Sequence, residues 1–189
     1  MKILIISGSL RQNSFNTVLA NLIQKTLNSD SAQNVQASIL NYKDVPFFSQ
    51  DLESSVPEAV ASAKAAVLEA DAVWVVTPEY NGMIPGVLKN LLDWLSRPLP
   101  DAKNWRDTAV FGKPVAISGA AGKNAAAGSM KQLETLLSFM GMKVYPKACG
   151  IAVSAEDMKN DALSADALKQ AEQSIKEQAE GFIDWIHTL

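Results

Sequence analysis

KILIISGSLRQNSFNT, residues 2–17, decides the fold. Ile3-Leu4-Ile5-Ile6 carries no polar alternation, the pattern of a strand buried on both faces. Ser7-Gly8-Ser9-Leu10-Arg11-Gln12-Asn13-Ser14 follows and is rich in turn formers. Phe15, Val18, Leu19, Leu22, Ile23 and Leu27 then recur at i, i+3, i+4, i+7, i+8 and i+12, one stripe of an amphipathic helix. A buried strand that feeds a helix through a polar loop is one step of an alternating α/β pattern.

The step repeats along the chain. Val35, Ala37 and Ile39 alternate with polar residues, which predicts a half-exposed strand near a sheet edge. Pro57 suits a helix start, because its missing N–H is not needed there, and the Ala-rich segment from Glu58 to Ala70 continues the helix. Ala72 to Val76 is a second fully apolar strand. Val87, Leu88, Leu91, Leu92 and Leu95 mark the next helix, stopped near Arg97-Pro98. Pro114 to Ile117 reads as a short strand running into a loop, Ser118-Gly119-Ala120-Ala121-Gly122. Met130, Leu133, Leu137 and Met140 stripe a helix that Gly141 caps. Val144 to Val153 holds the last strand, broken at Pro146. Ser164 is an N-cap for a final helix with its stripe at Leu168, Ala171, Ile175, Ala179, Phe182, Ile183 and Ile186. Five strands alternating with five helices predict a doubly wound parallel sheet with helices on both faces.

Composition narrows the class. At 189 residues and 20.3 kDa, one domain over residues 1–189 is expected. With 48% hydrophobic and 20% charged residues the chain is not of the disordered type. Its net charge of −3 supplies no basic excess for a nucleic-acid partner. The single cysteine, Cys149, and the single histidine, His187, exclude a disulfide framework, a multi-Cys zinc site and a two-His metal site. No apolar run approaches the roughly 20 residues of a membrane span, and the first is too short for a signal peptide. The expectation is a cytoplasmic protein without a membrane partner.

Ligands on such sheets bind beyond the carboxyl ends of the strands, where strand order reverses. Three loops stand there: Ser7 to Asn16, Thr77 to Pro85 and Ser118 to Gly128. In the first, Ser9, Ser14, Asn16 and Thr17 offer short polar side chains, and Arg11 offers a planar cationic fork suited to phosphate. The loop opens a helix, whose first N–H groups attract anions. The plainer alternative makes Ser14 an N-cap and Arg11 a solvated surface residue. In the second loop, Pro78 and Pro85 stiffen the segment that holds Glu79, Tyr80, Asn81 and Gly82. Such a loop suits a planar heterocycle edged with carbonyls and ring nitrogens; a simple strand-to-helix turn explains it as well. Ser118 and Gly119 open a third loop of small residues that leaves room for a ring. No G-x-G-x-x-G follows the first strand, and Gly119 to Asn124 lacks the spacing and the Ser or Thr of a phosphate loop.

Gly8-Ser9-Leu10-Arg11-Gln12-Asn13-Ser14-Phe15-Asn16 resembles the phosphate loop of the NADPH-dependent FMN reductase family. Pro78-Glu79-Tyr80-Asn81-Gly82-Met83-Ile84-Pro85-Gly86-Val87-Leu88-Lys89-Asn90, continuing through Asp93-Trp94-Leu95-Ser96-Arg97, resembles its second signature. The pair matches in order and spacing over about 90 residues, and the alternating pattern extends the likeness to nearly the whole chain. The resemblance implies a flavodoxin-like five-stranded sheet in the order 2-1-3-4-5. It implies bound FMN, with phosphate on Ser9, Arg11, Ser14, Asn16 and Thr17. The isoalloxazine would lie against Pro78, Glu79, Tyr80, Asn81 and Gly82, with Ser118 and Gly119 on another side.

By the same likeness, NADPH or NADH reduces the flavin in a ping-pong cycle. A small acceptor (a quinone, chromate, an azo dye or free flavin) then takes the electrons. No side chain is implied as catalytic and no metal is implied. Relatives are dimers or tetramers, so a homodimer or homotetramer is expected. Trp94, Leu95 and the segment bearing Trp105 are candidates for its surface, with ordinary core packing of both tryptophans as the alternative. The chain departs from the pattern at Ala125, Ala126 and Gly128, where many relatives carry a glycine pair and an arginine. It departs again at Leu133-Glu134-Thr135, in place of Leu-Arg-Gln. An NADPH phosphate contact from this helix is therefore not implied.

Other readings remain beside this one. A flavodoxin-type electron carrier is disfavoured by the modest charge and the Tyr80-Asn81-Gly82 loop. A signalling receiver domain needs acids where this chain has Ser7-Gly8-Ser9 and Thr77. A module that keeps FMN without turnover is separated from a reductase only by assay. His187 near a helix C-terminus, Cys149 in an apolar strand, and Met130 and Met140 on a core stripe all have ordinary structural explanations.

Overall fold

The apolar run at the start of the chain forms β1 (Lys2–Ser7). In this computed structural model, which describes residues 1–29 and 34–189, β1 lies between β2 (Gln36–Ile39) and β3 (Ala72–Thr77). Beyond β3 come β4 (Pro114–Ala121) and β5 (Lys143–Val144), giving the all-parallel order β2-β1-β3-β4-β5. A further segment, β6 (Cys149–Ala152), also pairs with β4. The expected order and the expected edge strand are both observed. The last strand is two pieces: β5 pairs with Pro114 and Val115, and β6 with Ser118 to Ala121. Pro146, which has no N–H to donate, lies in the gap.

Among the described residues, six α-helices connect and cover the sheet: α1 (Phe15–Leu27), α2 (Glu58–Glu69), α3 (Gly86–Leu95), α4 (Ala127–Phe139), α5 (Ala155–Asn160) and α6 (Ala165–Ile186). A short 3-10 helix, Gln50–Ser55, precedes α2. Ser14 and Ser164 cap α1 and α6 by accepting from Thr17 N and Ala167 N. The one helix beyond the five expected is α5. Its signal is Ser154-Ala155-Glu156-Asp157, a reciprocal capping box formed by Ser154 and Asp157.

Strand alternation divides the core in two. Ile3, Ile5, Trp74, Val76 and Ala116 pack with Leu19, Ile23, Ile175 and Phe182 of α1 and α6. Leu4, Ile6, Val73, Val75, Val115 and Ile117 pack with Val67, Leu88, Leu92, Leu133 and Leu137 of α2, α3 and α4. Both faces of the central strands are covered, which is why their sequences show no polar alternation.

Two expectations need correction. The third loop does not begin at Ser118, because β4 runs four residues past Ile117 to Ala121, paired with β3 on one side and β6 on the other. Trp94 and Leu95 offer no assembly surface. Both are buried, and Trp94 Nε1 donates to Pro46 O at 2.8 Å. Trp105, by contrast, is exposed. Among the described residues no helix is long and apolar enough to cross a membrane.

Candidate functional site

β1 connects outward to β2 on one side while β3 lies on its other side, so strand order reverses between β1 and β3. The loops that follow them diverge at this point and leave a crevice. Register brings the strand ends level: Ser7 pairs with Val76, and Thr77 with Gly119. Gly8 N donates to Val76 O at 2.6 Å. A Cβ on Gly8 would lie 3.1 Å from Leu88, Pro78 and Val76 O, tighter than ordinary contact, so glycine eases the close approach of the first two loops.

The first loop is ordered by its own polar side chains. Ser9 Oγ accepts from Arg11 N at 3.3 Å, and Ser14 Oγ accepts from Thr17 N at 3.0 Å. Ser14 and Thr17 hydroxyls lie 2.8 Å apart, and Thr17 Oγ1 donates to Arg11 O at 2.9 Å. The N–H groups of Leu10, Gln12, Asn13 and Phe15 have no acceptor among the described residues. These donors, at the start of α1 and beside Arg11, form a cradle suited to a phosphate monoester. Asn16 takes a different role. It is buried, Nδ2 donates to Ala120 O at 2.8 Å, and Oδ1 accepts from Ala120 N at 2.9 Å. Its amide joins α1 to β4.

The second loop is a tight hairpin. Tyr80 and Met83 exchange backbone hydrogen bonds of 3.2 and 3.0 Å across Asn81 and Gly82. Both central residues have positive φ, 54° and 73°, as an Asn-Gly turn of this class requires. Pro78 is buried at its base, while Asn81 and Gly82 are exposed at its tip. Tyr80 is half exposed and lies within electrostatic reach of both Arg11 and Tyr42. Tyr42 is buried and its hydroxyl donates to Ser7 O at 2.6 Å; burial pushes its phenol well above the ordinary value.

Glu79 caps a helix from a distance. The residue at the N-cap of α4 is Ala126, which has no side chain to cap with. Glu79 Oε2 accepts from Ser129 N at 3.0 Å in the first turn, and Oε1 accepts from Asn124 Nδ2. Gly128 leaves the space, since a Cβ there would sit 2.9 Å from the carboxylate. Gln132 adds a second tie from α4, donating to Gly82 O at 2.8 Å and accepting from Ile84 N at 3.3 Å. Tyr42, Asn124, Ser129, Gln132 and Gln178 were not legible as site supports. Their side chains become informative only once loops distant in sequence are side by side.

Ser118 and Gly119 sit inside β4. Ser118 Oγ accepts from Trp74 Nε1 at 2.9 Å and donates to Gln178 Oε1 at 2.6 Å. Gln178 Nε2 in turn donates to Ile117 O and Lys147 O, both at 2.9 Å. The serine hydroxyl is therefore part of a satisfied buried network under α6 and is not offered to a ligand. Gly119 lets β3 and the third loop close together: a Cβ would stand 2.6 Å from Thr77 O and 2.8 Å from the Ala126 methyl. The loop proper, residues 122–126, ends in Ala125 and Ala126, both left-handed at φ 50° and 60°.

A model of NADPH-dependent FMN reductases matches residues 1–157. The chain belongs to that family. Among individual FMN reductase relatives, the 2-hydroxy-1,4-benzoquinone reductase of a Burkholderia species is 40% identical over 119 residues, 63% of this chain. The match spans 60% of that enzyme's length. The quinone reductase of Escherichia coli K12 is 35% identical over 150 residues, 78% of this chain and 74% of its own. Among solved structures, the flavoenzyme FerB of Paracoccus denitrificans, an NAD(P)H:(acceptor) oxidoreductase, superposes with a TM-score of 0.80 at 30% identity. That superposition covers 99% of this chain and 97% of FerB. The flavodoxin-like fold and the family inferred from the two signatures both hold. With the family comes FMN-dependent oxidoreductase chemistry with NAD(P)H as donor. Cys149 lies outside it, since burial raises its thiol to about 11, a poor nucleophile at neutral pH.

Proposed function

We propose that this FMN reductase passes reducing equivalents from NAD(P)H to a small quinone-type acceptor, with FMN held across the three loops. The observation that carries the reading is the cradle at the start of α1. Several backbone N–H groups without acceptors lie beside Arg11, at the β1/β3 switch point. We assign the phosphate to that cradle, to Arg11, and to the hydroxyls of Ser9, Ser14 and Thr17. We assign the ring to the hairpin of Pro78 to Gly82, where Tyr80 supplies an apolar face and exposed turn amides supply polar contacts. Gly119 contributes by leaving room, and Ser118 and Asn16 by holding β4 in place. FMN, when bound, supplies the hydride chemistry; the chain's own residues bind and orient it.

Assembly as a homodimer or homotetramer belongs to the same proposal. Its support is an exposed aromatic patch: Trp105, Phe111 and Phe139, with the Arg106 guanidinium 4.9 Å from the Trp105 ring and 5.6 Å from the Phe111 ring.

The test is an absorption spectrum after loading with FMN and desalting, then anaerobic addition of NADPH or NADH, then a quinone. Retained flavin bands that bleach with either nucleotide and return with quinone are expected. Bands that persist without bleaching would make the protein a carrier or a binding module.

A further inference from the structure

α5 and the turn after it are fixed at both ends. Ser154 and Asp157 form the capping box, and Asp157 Oδ1 also accepts from Ser164 N at 2.7 Å, the N-cap of α6. Asp161 follows α5 directly, left-handed at φ 48°, with its N–H returned to Asp157 O and Met158 O. Its position is therefore set by the backbone. From there its Oδ2 accepts from Arg11 Nη1 at 2.7 Å, across 150 residues. Both side chains are about half exposed. Arg11 has no other side-chain acceptor among the described residues, so its remaining N–H groups stay free beside the cradle. Asp161 also lies past residue 157, where the match to the family model ends.

We propose that Asp161 is a positioning residue that opposes phosphate at the first loop. It engages one nitrogen of Arg11 and places a fixed carboxylate next to the intended anion. This inference rests on the assignment of Arg11 to the FMN phosphate. A phosphate dianion entering the cradle must share Arg11 with a group of its own sign. The carboxylate thus lowers the retention of FMN without touching the ring. A flavin that lacks the phosphate, such as riboflavin, does not meet this opposition. Screening by salt weakens both the attraction and the opposition.

The experiment is a fluorescence titration of apoprotein with FMN and, separately, with riboflavin. It compares the wild type with Asp161→Asn, Asp161→Gly, Arg11→Ala and the Arg11→Ala/Asp161→Asn double variant. Asparagine and glycine both tolerate the left-handed backbone, so either replacement keeps the turn. The expected result is a Kd for FMN lower by about 2- to 5-fold in both Asp161 variants, the range of an exposed ion pair. Riboflavin binding should be unchanged, and the gain should be smaller when Arg11 is absent, since only the direct repulsion between carboxylate and phosphate then remains. Unchanged or weaker FMN binding in the Asp161 variants, with Arg11→Ala still weakening it, overturns the role of Asp161 alone. Equal tightening of riboflavin also overturns it. Unchanged FMN binding in Arg11→Ala overturns the phosphate assignment itself.

Discussion

Asn16 and Ala120 exchange two hydrogen bonds, of 2.8 and 2.9 Å, across 104 residues of chain. A side-chain amide presents one donor and one acceptor at the spacing of a peptide group, so Asn16 acts toward the end of β4 as a neighbouring strand would. The bond pair fixes where the first loop stands relative to the third. Replacement by alanine leaves the buried N–H and C=O of Ala120 without partners. Asn16→Ala is expected to lower unfolding stability by about 1–3 kcal/mol in a urea titration, with FMN affinity reduced as well. A denaturation midpoint equal to that of the wild type would show that the bond pair contributes nothing.

Glu79 is expected to matter through α4. Glu79→Ala removes the acceptor of Ser129 N and the negative charge at a helix start, and no residue at the N-cap replaces it. The expected loss is about 0.5–2 kcal/mol, the range for a lost cap. Gly128→Ala forces a Cβ to within 2.9 Å of the same carboxylate. Stability measured for both single variants and the double should be strongly non-additive. Additive losses would mean that the two positions act separately.

Ala125 and Ala126 carry the same left-handed backbone but different surroundings. Ala126 is fully buried, whereas Ala125 is partly exposed. Left-handed backbone costs a non-glycine residue about 1–2 kcal/mol, while glycine adds roughly 0.5–1 kcal/mol of unfolded-state entropy. Ala125→Gly is therefore expected to stabilise by about 0.5–1 kcal/mol. Ala126→Gly also loses a buried methyl worth about 0.8 kcal/mol, so no net gain is expected. Calorimetric melting of the two variants decides this. A larger gain at 126 than at 125 contradicts it.

Acid should loosen α5 first. The Ser154 hydroxyl, followed by the N–H groups of Ser164 and Ser154, holds the Asp157 carboxyl below the usual range. Its folded value lies below its unfolded value, so its contribution to stability is fully present above about pH 4. That contribution is lost as pH falls through the depressed folded value. Asp157→Asn should lower the melting temperature at neutral pH, where the contribution is present, and flatten its fall below about pH 4, so that the two proteins converge in acid. If both proteins show the same acid limb, Asp157 is not the titrating group.

The sheet was legible because burial on both faces writes itself into a strand as an unbroken apolar run. Residues 3–6 and 72–76 show it, and no partner needs to be known. The N-cap and the turns of the first loop were legible because they act within a few residues. Ser118 to Ala121 was not. Small residues have weak intrinsic preference, and here they are a strand because β3 and β6 flank them.

Alone, the amino-acid order determined the alternating pattern of buried strands and amphipathic helices, which depends on local propensity and periodic burial. Two signature motifs carried the resemblance that implied the family and, with it, the strand order. The tertiary structure decided what the polar side chains bond to. Asn16 holds β4, Glu79 caps α4, Ser118 joins Trp74 to Gln178, and Asp161 meets Arg11. A hydrogen bond depends on separations of about 3 Å between atoms that lie far apart along the chain, and only the folded packing sets those distances.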